Sequence, residues 1–193
     1  MTRERVVGVF WRRGVGAAIA VALTFAATGA AATVLIPVEL RELTREAGAI
    51  VRGRVVAVDA RWTDDRRGIE TLVTLAVESY LKGSFGETLT FRVPGGRLGR
   101  LRSVMVGAPQ FAPEQRVIVF LGHRGPTVPH VIGLSQGVYR ITPMAGSWHV
   151  TPPALSGTGG TRPVIRGDRT RRPLPLDAFE AEVRHLVQPE IGR

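Results

Sequence analysis

The sequence predicts a mainly β domain, an antiparallel barrel or sandwich with one short helix before the sheet and one helix after it. Three observations carry that prediction. Short β-branched runs follow one another with Gly and Pro punctuation and no helical pattern between them. One run, Val117-Ile118-Val119-Phe120-Leu121, is apolar throughout, as a strand buried on both faces must be. The chain also has no cysteine, so a domain that leaves the cytoplasm, as the amino terminus argues below, has no disulfide framework and must hide its strand edges by closing the sheet, which favours the barrel.

In chain order, Pro37-Val38-Glu39-Leu40 opens a helical pattern with Leu40, Leu43 and Ala47 on one face and Gly48 where a helix stops. From Ala49 the period changes, and Ile50 to Val58 reads as a long strand that ends in the hairpin loop Asp64-Asp65-Arg66-Arg67-Gly68. The return strand alternates, with Ile69, Thr71, Val73, Leu75 and Val77 on one face and Glu70, Thr74, Glu78 and Tyr80 on the other, until Lys82-Gly83 breaks it. Leu89, Phe91 and Val93 mark a third strand closed by Pro94-Gly95-Gly96. A loop is expected next, bracketed by Gly107-Ala108-Pro109 and Pro113-Glu114-Gln115, before the core strand at Val117. Two short strands, His130 to Leu134 and Val138 to Thr142, flank Ser135-Gln136-Gly137, and Trp148-His149-Val150 adds an edge. Residues 151–176 are dense in Pro, Gly, Thr and Arg and read as a flexible linker. Asp177 and Glu180 then resemble a capping box, with Phe179, Val183 and Leu186 on one face of a final helix within 177–193.

The amino terminus has the three parts of a signal peptide. Arg3, Arg5, Arg12 and Arg13 precede the uncharged run Gly14 to Ala27, and Ala30-Ala31-Ala32 offers small residues for cleavage. That run is shorter than the roughly 20 apolar residues a bilayer span requires, so the expected product is a domain of residues 33–150 plus linker and helix, secreted or periplasmic, with no membrane span of its own. Arg12-Arg13 can also be read as a twin-arginine pair, although Gly14-Val15-Gly16 lacks the bulky apolar residues expected after one.

The 193 residues suit one domain, and the hydrophobic share of 44% with 22% charged residues is that of a folded chain. The net charge of +10 is almost all arginine, Lys82 being the single lysine, and a skew so uniform reads as coding bias rather than as a nucleic-acid surface.

No catalytic, cofactor or metal residue is predicted. Gly133-Leu134-Ser135-Gln136-Gly137 matches G-x-S-x-G, but the strand-like Val138-Tyr139-Arg140-Ile141 follows it where a nucleophile elbow needs a helix, so a turn is expected. His123, His130, His149 and His185 lack zinc-enzyme spacing, and Arg66-Arg67 occupy positions that a calcium loop opened by Asp64-Asp65 would need for ligands. Arg162, Arg166, Arg169, Arg171 and Arg172 form a basic run able to neutralise phosphates, but no aromatic residue interleaves them, and a solvated linker is expected over a polyanion contact.

Ala49-Ile50-Val51-Arg52-Gly53-Arg54-Val55, Leu75 to Gly83 ending in Leu-Lys-Gly, Phe91-Arg92-Val93-Pro94-Gly95-Gly96 and Phe111 to Leu121 with Pro-Glu-Gln before the core strand resemble a family of uncharacterised secreted bacterial proteins. Their order also resembles the five-stranded OB-like barrel of netrin modules and tissue inhibitors of metalloproteinases, over roughly Leu40 to Thr142. The resemblance implies an OB-like barrel. It transfers no functional residue, because those inhibitors block a catalytic zinc with an amino-terminal cysteine and this chain has none. The expected function is therefore an exported, non-enzymatic binding module for an extracytoplasmic protein or an envelope polymer. The alternatives are a secreted inhibitor of an extracellular protease and a serine hydrolase using Ser135. Intact-mass analysis of exported protein is expected to find a chain that starts at Thr33; recovery of the uncleaved chain from the membrane fraction would mean that the apolar run is an anchor.

Overall fold

A computed structural model of the chain describes residues 38–122, 128–153 and 172–188; the signal-peptide reading of residues 1–32 and most of the expected linker lie outside them. Helix α1 (Leu40–Glu46) precedes β1 (Ala49–Trp62), β2 (Ile69–Lys82), β3 (Thr88–Pro94), β4 (Gly96–Leu98), β5 (Leu101–Ser103) and β6 (Arg116–Gly122). After β7 (His130–Val131) come a 3-10 turn (Leu134–Gly137), β8 (Val138–Met144), β9 (Ser147–Thr151), β10 (Leu174–Pro175) and helix α2 (Leu176–Val187). The protein is thus mainly β, with a short helix before the sheet and a carboxy-terminal helix after it.

Strands β1, β2, β3, β7 and β6 form a closed five-stranded barrel, sealed where β6 returns to β1 in the register Ala49↔Leu121 to Arg54↔Arg116. This is the small OB-like barrel that the sequence predicts, with one correction to its expected antiparallel character. A ring of five strands cannot alternate direction all the way round, so one neighbouring pair must run parallel. That pair is β3 and β7, joined at Arg92↔His130. β8 pairs with the first half of β6 (Arg116–Val119) while β7 pairs with its end (Leu121, Gly122), and β9 and β10 extend the sheet beyond β8.

The alternation of side chains along β6 explains why its whole length is apolar. Val117, Val119 and Leu121 enter the barrel interior beside Val51, Leu75 and Phe91. Ile118 and Phe120 point the other way, into a second core with Leu43, Tyr139, Phe179 and Val183 that lies under both helices. All five of these β6 residues are fully buried, and each such side chain contributes roughly 1.5–3 kcal/mol relative to exposure. Helix α2 docks through Phe179 and Val183, as its spacing predicts, but with Val187 rather than the expected Leu186 beside them, and the Tyr139 and Phe179 rings meet at 4.8 Å, tilted by 39°.

Several local expectations need correction. The clean alternation of β2 fails after Val77, because the register slips at Arg52/Gly53 and again at Ile50/Val51, leaving Glu78 and Leu81 as extra residues. The first bulge reverses the parity, so Tyr80 packs against the barrel interior rather than facing away from it, while Leu81 joins the second core. Glu70, expected on a polar face, is buried and pairs with Arg61 at 2.7 Å. The capping box does not form. Helix α2 starts at Leu176 after Pro175, without a side-chain cap, and Glu180 turns instead to arginines on the barrel and on its own helix. The end of the expected linker is ordered by pairing, since Leu174 and Pro175 lie beside Val150 and His149, so β9 is not the edge. Lastly, the stretch after Pro94, expected to be a loop, holds the hairpin β4–β5.

Gly53 is required by close packing. A Cβ there would lie 2.6 Å from the carbonyl oxygen of Ala76, beside the register slip between β1 and β2. Val119→Asp is expected to abolish folding, because an unpaired carboxylate in the barrel core costs several kcal/mol or more against a total stability of about 5–15 kcal/mol. Gly53→Ala is expected to cost about 1–3 kcal/mol, and Val104→Asp, on the surface, less than about 0.5 kcal/mol. Urea unfolding followed by circular dichroism measures all three; a folded Val119→Asp variant would contradict the account of β6.

Candidate functional site

Of the five arginines of the basic run, Arg162, Arg166, Arg169 and Arg171 lie outside the described residues. Arg172 is exposed, just before β10. Ser135 lies in the 3-10 turn between β7 and β8, entered through Gly133 (φ 64) and Leu134 (φ 56), and no α-helix follows it. The motif is thus a turn, and its contacts are structural: the Ser135 N–H donates to the Gly107 carbonyl at 2.9 Å, and the buried Gln136 Oε1 accepts from the Val38 N–H at 2.7 Å. The Asp64-Asp65 loop is closed on itself. Hydrogen bonds from the Thr63 hydroxyl and then the Arg67 N–H hold the exposed Asp65 carboxyl below the usual carboxylate range. Among the described residues no group of three or more His, Asp or Glu side chains is placed to hold a metal ion.

Two groups of arginines stand out among the described residues in surroundings that the sequence does not distinguish, although others, such as Arg66 and Arg67 in the β1–β2 loop, also have no carboxylate partner there. One population is paired across the outside of the barrel. Glu180 bridges Arg52 and Arg184, while Glu78, re-aimed by the β2 bulge, lies 3.3 Å from Arg52 Nε and 3.1 Å from Arg116 Nε. The Arg52 Nε–H sits at ion-pair distance from Glu78 but is not aligned for a hydrogen bond. Arg116 in turn lies over the Trp148 ring, 4.8 Å from its centre. This chain of charges fastens α2 to β1, β2 and β6. Lys82 likewise serves the fold, because its Nζ donates to the Thr44 and Arg45 carbonyls at 2.8 and 3.2 Å, satisfying the open end of α1, and burial lowers its pKa.

The second population is on the β4–β5 hairpin. Arg97, Arg100 and Arg102 are exposed, and among the described residues none of them has a carboxylate partner; Arg97 Nε reaches only the Gly99 carbonyl, 3.2 Å away. Arg97 and Arg102 are direct cross-strand partners. Like charges in that position repel and destabilise the pair. No Asp or Glu occurs anywhere between Glu87 and Glu114 to offset them.

Beside these cations runs the most exposed apolar segment among the described residues. Leu101 is 53% exposed, Val104 70%, Met105 49% and Val106 54%. The segment is held at both ends. Gly95 (φ 87) and Gly96 (φ 148) turn the chain out of β3, in backbone conformations that other residues rarely adopt, and Gly96 packs on Ala60, Ile69 and Thr71 so closely that a Cβ would clash with the Thr71 hydroxyl. At the far end Ala108 N–H bonds the Met105 carbonyl, Gly107 is held by Ser135, and Phe111 meets Phe91 edge-on at 5.4 Å to close the barrel. Trp62, on the same face of β1 as Ala60, is exposed next to the root of the hairpin. A segment anchored at both ends therefore presents apolar side chains, and cations with no carboxylate partner among the described residues, within ten residues.

Sequence reasoning passed over this site by reading a loop after the turn Pro94-Gly95-Gly96. The available signal was Gly96-Arg97-Leu98-Gly99-Arg100-Leu101-Arg102-Ser103, a two-residue turn between matched triplets, followed by Val104-Met105-Val106 with no partner strand in sequence. Compared with known proteins, the chain matches no family model and no curated protein. No helix of the described residues is long and apolar enough to cross a membrane.

Proposed function

We propose that the chain is an exported, non-enzymatic binding module that engages its partner through the hairpin Gly96–Ser103 and the segment that follows it to Val106. One observation carries this reading: the only cations of the hairpin are left without carboxylates among the described residues, beside four exposed aliphatic side chains. Contiguous exposed apolar surface of this kind marks interaction sites, and arginines beside it can complement an anionic partner. The signal-peptide pattern of residues 1–32 supports placement outside the cytoplasm. The closed barrel supports grouping the fold with netrin-type modules, without their cysteine-based chemistry.

A photo-crosslinking amino acid placed at Val104 of the exported protein is expected to yield a discrete protein or lipid adduct in intact cells, whereas the same group at the exposed Glu182 of α2 yields none. Adducts confined to position 182, or an ester-hydrolysing activity of the purified protein abolished by Ser135→Ala, would contradict the proposal.

A further inference from the structure

We propose that the partner of this surface is an anionic lipid bilayer, which the hairpin and Leu101–Val106 enter at the level of the headgroups; the inference rests on the reading of the hairpin as the binding surface. Its chemistry is that of an interface rather than of a pocket. The apolar residues are aliphatic or thioether side chains exposed on a hairpin and the turn that follows it. Arg97, Arg100 and Arg102 stand within a few residues of them, and a bilayer supplies phosphates and acyl chains together in one contact, at adjacent depths. Arginine side chains are long enough to keep their guanidinium groups among the phosphates while the backbone settles lower.

Charge complementarity selects an anionic membrane over a neutral one. The 26 residues from Thr88 to Pro113 contain four arginines and no acidic residue. Binding to phosphates would end the Arg97/Arg102 repulsion that the free protein bears. Trp62 adds an amphipathic ring at the edge of the patch, the residue type that settles at bilayer interfaces. A nucleic acid would use the cations but leave Leu101, Val104, Met105 and Val106 without a partner. An acidic protein groove would have to match both features by shape, and for that the hairpin offers no anchoring aromatic side chain of its own.

The test is co-sedimentation of the exported chain with vesicles of equal parts phosphatidylglycerol and phosphatidylcholine, against vesicles of phosphatidylcholine alone, over a range of salt. Binding is expected only with the anionic vesicles and should weaken as salt rises. Arg97→Gln, Arg100→Gln and Arg102→Gln combined should weaken it on the order of a hundredfold, at about fivefold per arginine. Leu101→Ser, Val104→Ser and Met105→Ser combined should weaken it by at least about tenfold. Neither variant should melt below the parent, and Val104→Asp alone gives a single-site check should either lose its fold. Equal binding to neutral vesicles, or binding that all these variants retain, would overturn the inference. So would loss in the arginine variant alone, which would assign the hairpin to a soluble polyanion. No sedimentation together with a protein adduct at Val104 would sink the bilayer and leave the binding module standing; no sedimentation and no adduct would sink both.

Discussion

Every layer of this protein depends on β6 being buried on both faces. A strand of the barrel wall ordinarily turns one face to solvent and needs alternating polarity. Here Val117, Val119 and Leu121 fill the barrel, and Ile118 and Phe120 fill the space under the helices. The same strand seals the barrel against β1 and seeds pairing with β7 and β8. β1 and β8 also send side chains into both cores, but β6 does so with five consecutive fully buried residues, which makes it the main link between them in a chain that has no cross-links.

The second constraint is where the charges go. On the helix side of the barrel, arginines and glutamates are matched one against another, and Glu78 and Glu180 each serve two arginines. Those partly exposed pairs contribute little stability individually; their effect is to set the position of α2. On the hairpin, no such matching occurs among the described residues. The difference is local composition: β1, β2 and α2 mix both signs, whereas the chain from Thr88 to Pro113 carries arginine alone. Packing fixes the hairpin through Gly96 and Gly107, while its arginines stay exposed.

Much of the barrel was legible because its signals are local. The hydrophobic period of β2 up to Val77, the loop at Asp64 to Gly68 and the continuous apolar run of β6 each state their structure within a few residues. Errors arise where a tertiary contact overrides the local pattern. The bulge at Glu78 reverses the facing of Tyr80 because the register between β1 and β2 slips beside Gly53. Glu180 forgoes its cap because Arg52 lies underneath it. The parallel β3–β7 contact is a consequence of ring closure, which no segment of the sequence encodes alone. The candidate site was missed for a related reason. Arg97, Arg100 and Arg102 differ from Arg52 or Arg116 only in their neighbours in space, and a uniform arginine bias conceals that difference.

Native-state hydrogen exchange tests the central claim, that one doubly buried strand joins both cores into a single cooperative unit. The amides of Val117 to Leu121 should exchange only through global unfolding, with the same urea dependence as the whole protein, while the exposed backbone of the β4–β5 hairpin opens at far lower free energy. Exchange of the β6 amides through a smaller opening, with β1, β2 and β3 still protected, would show that the barrel holds together without β6 and would contradict the account.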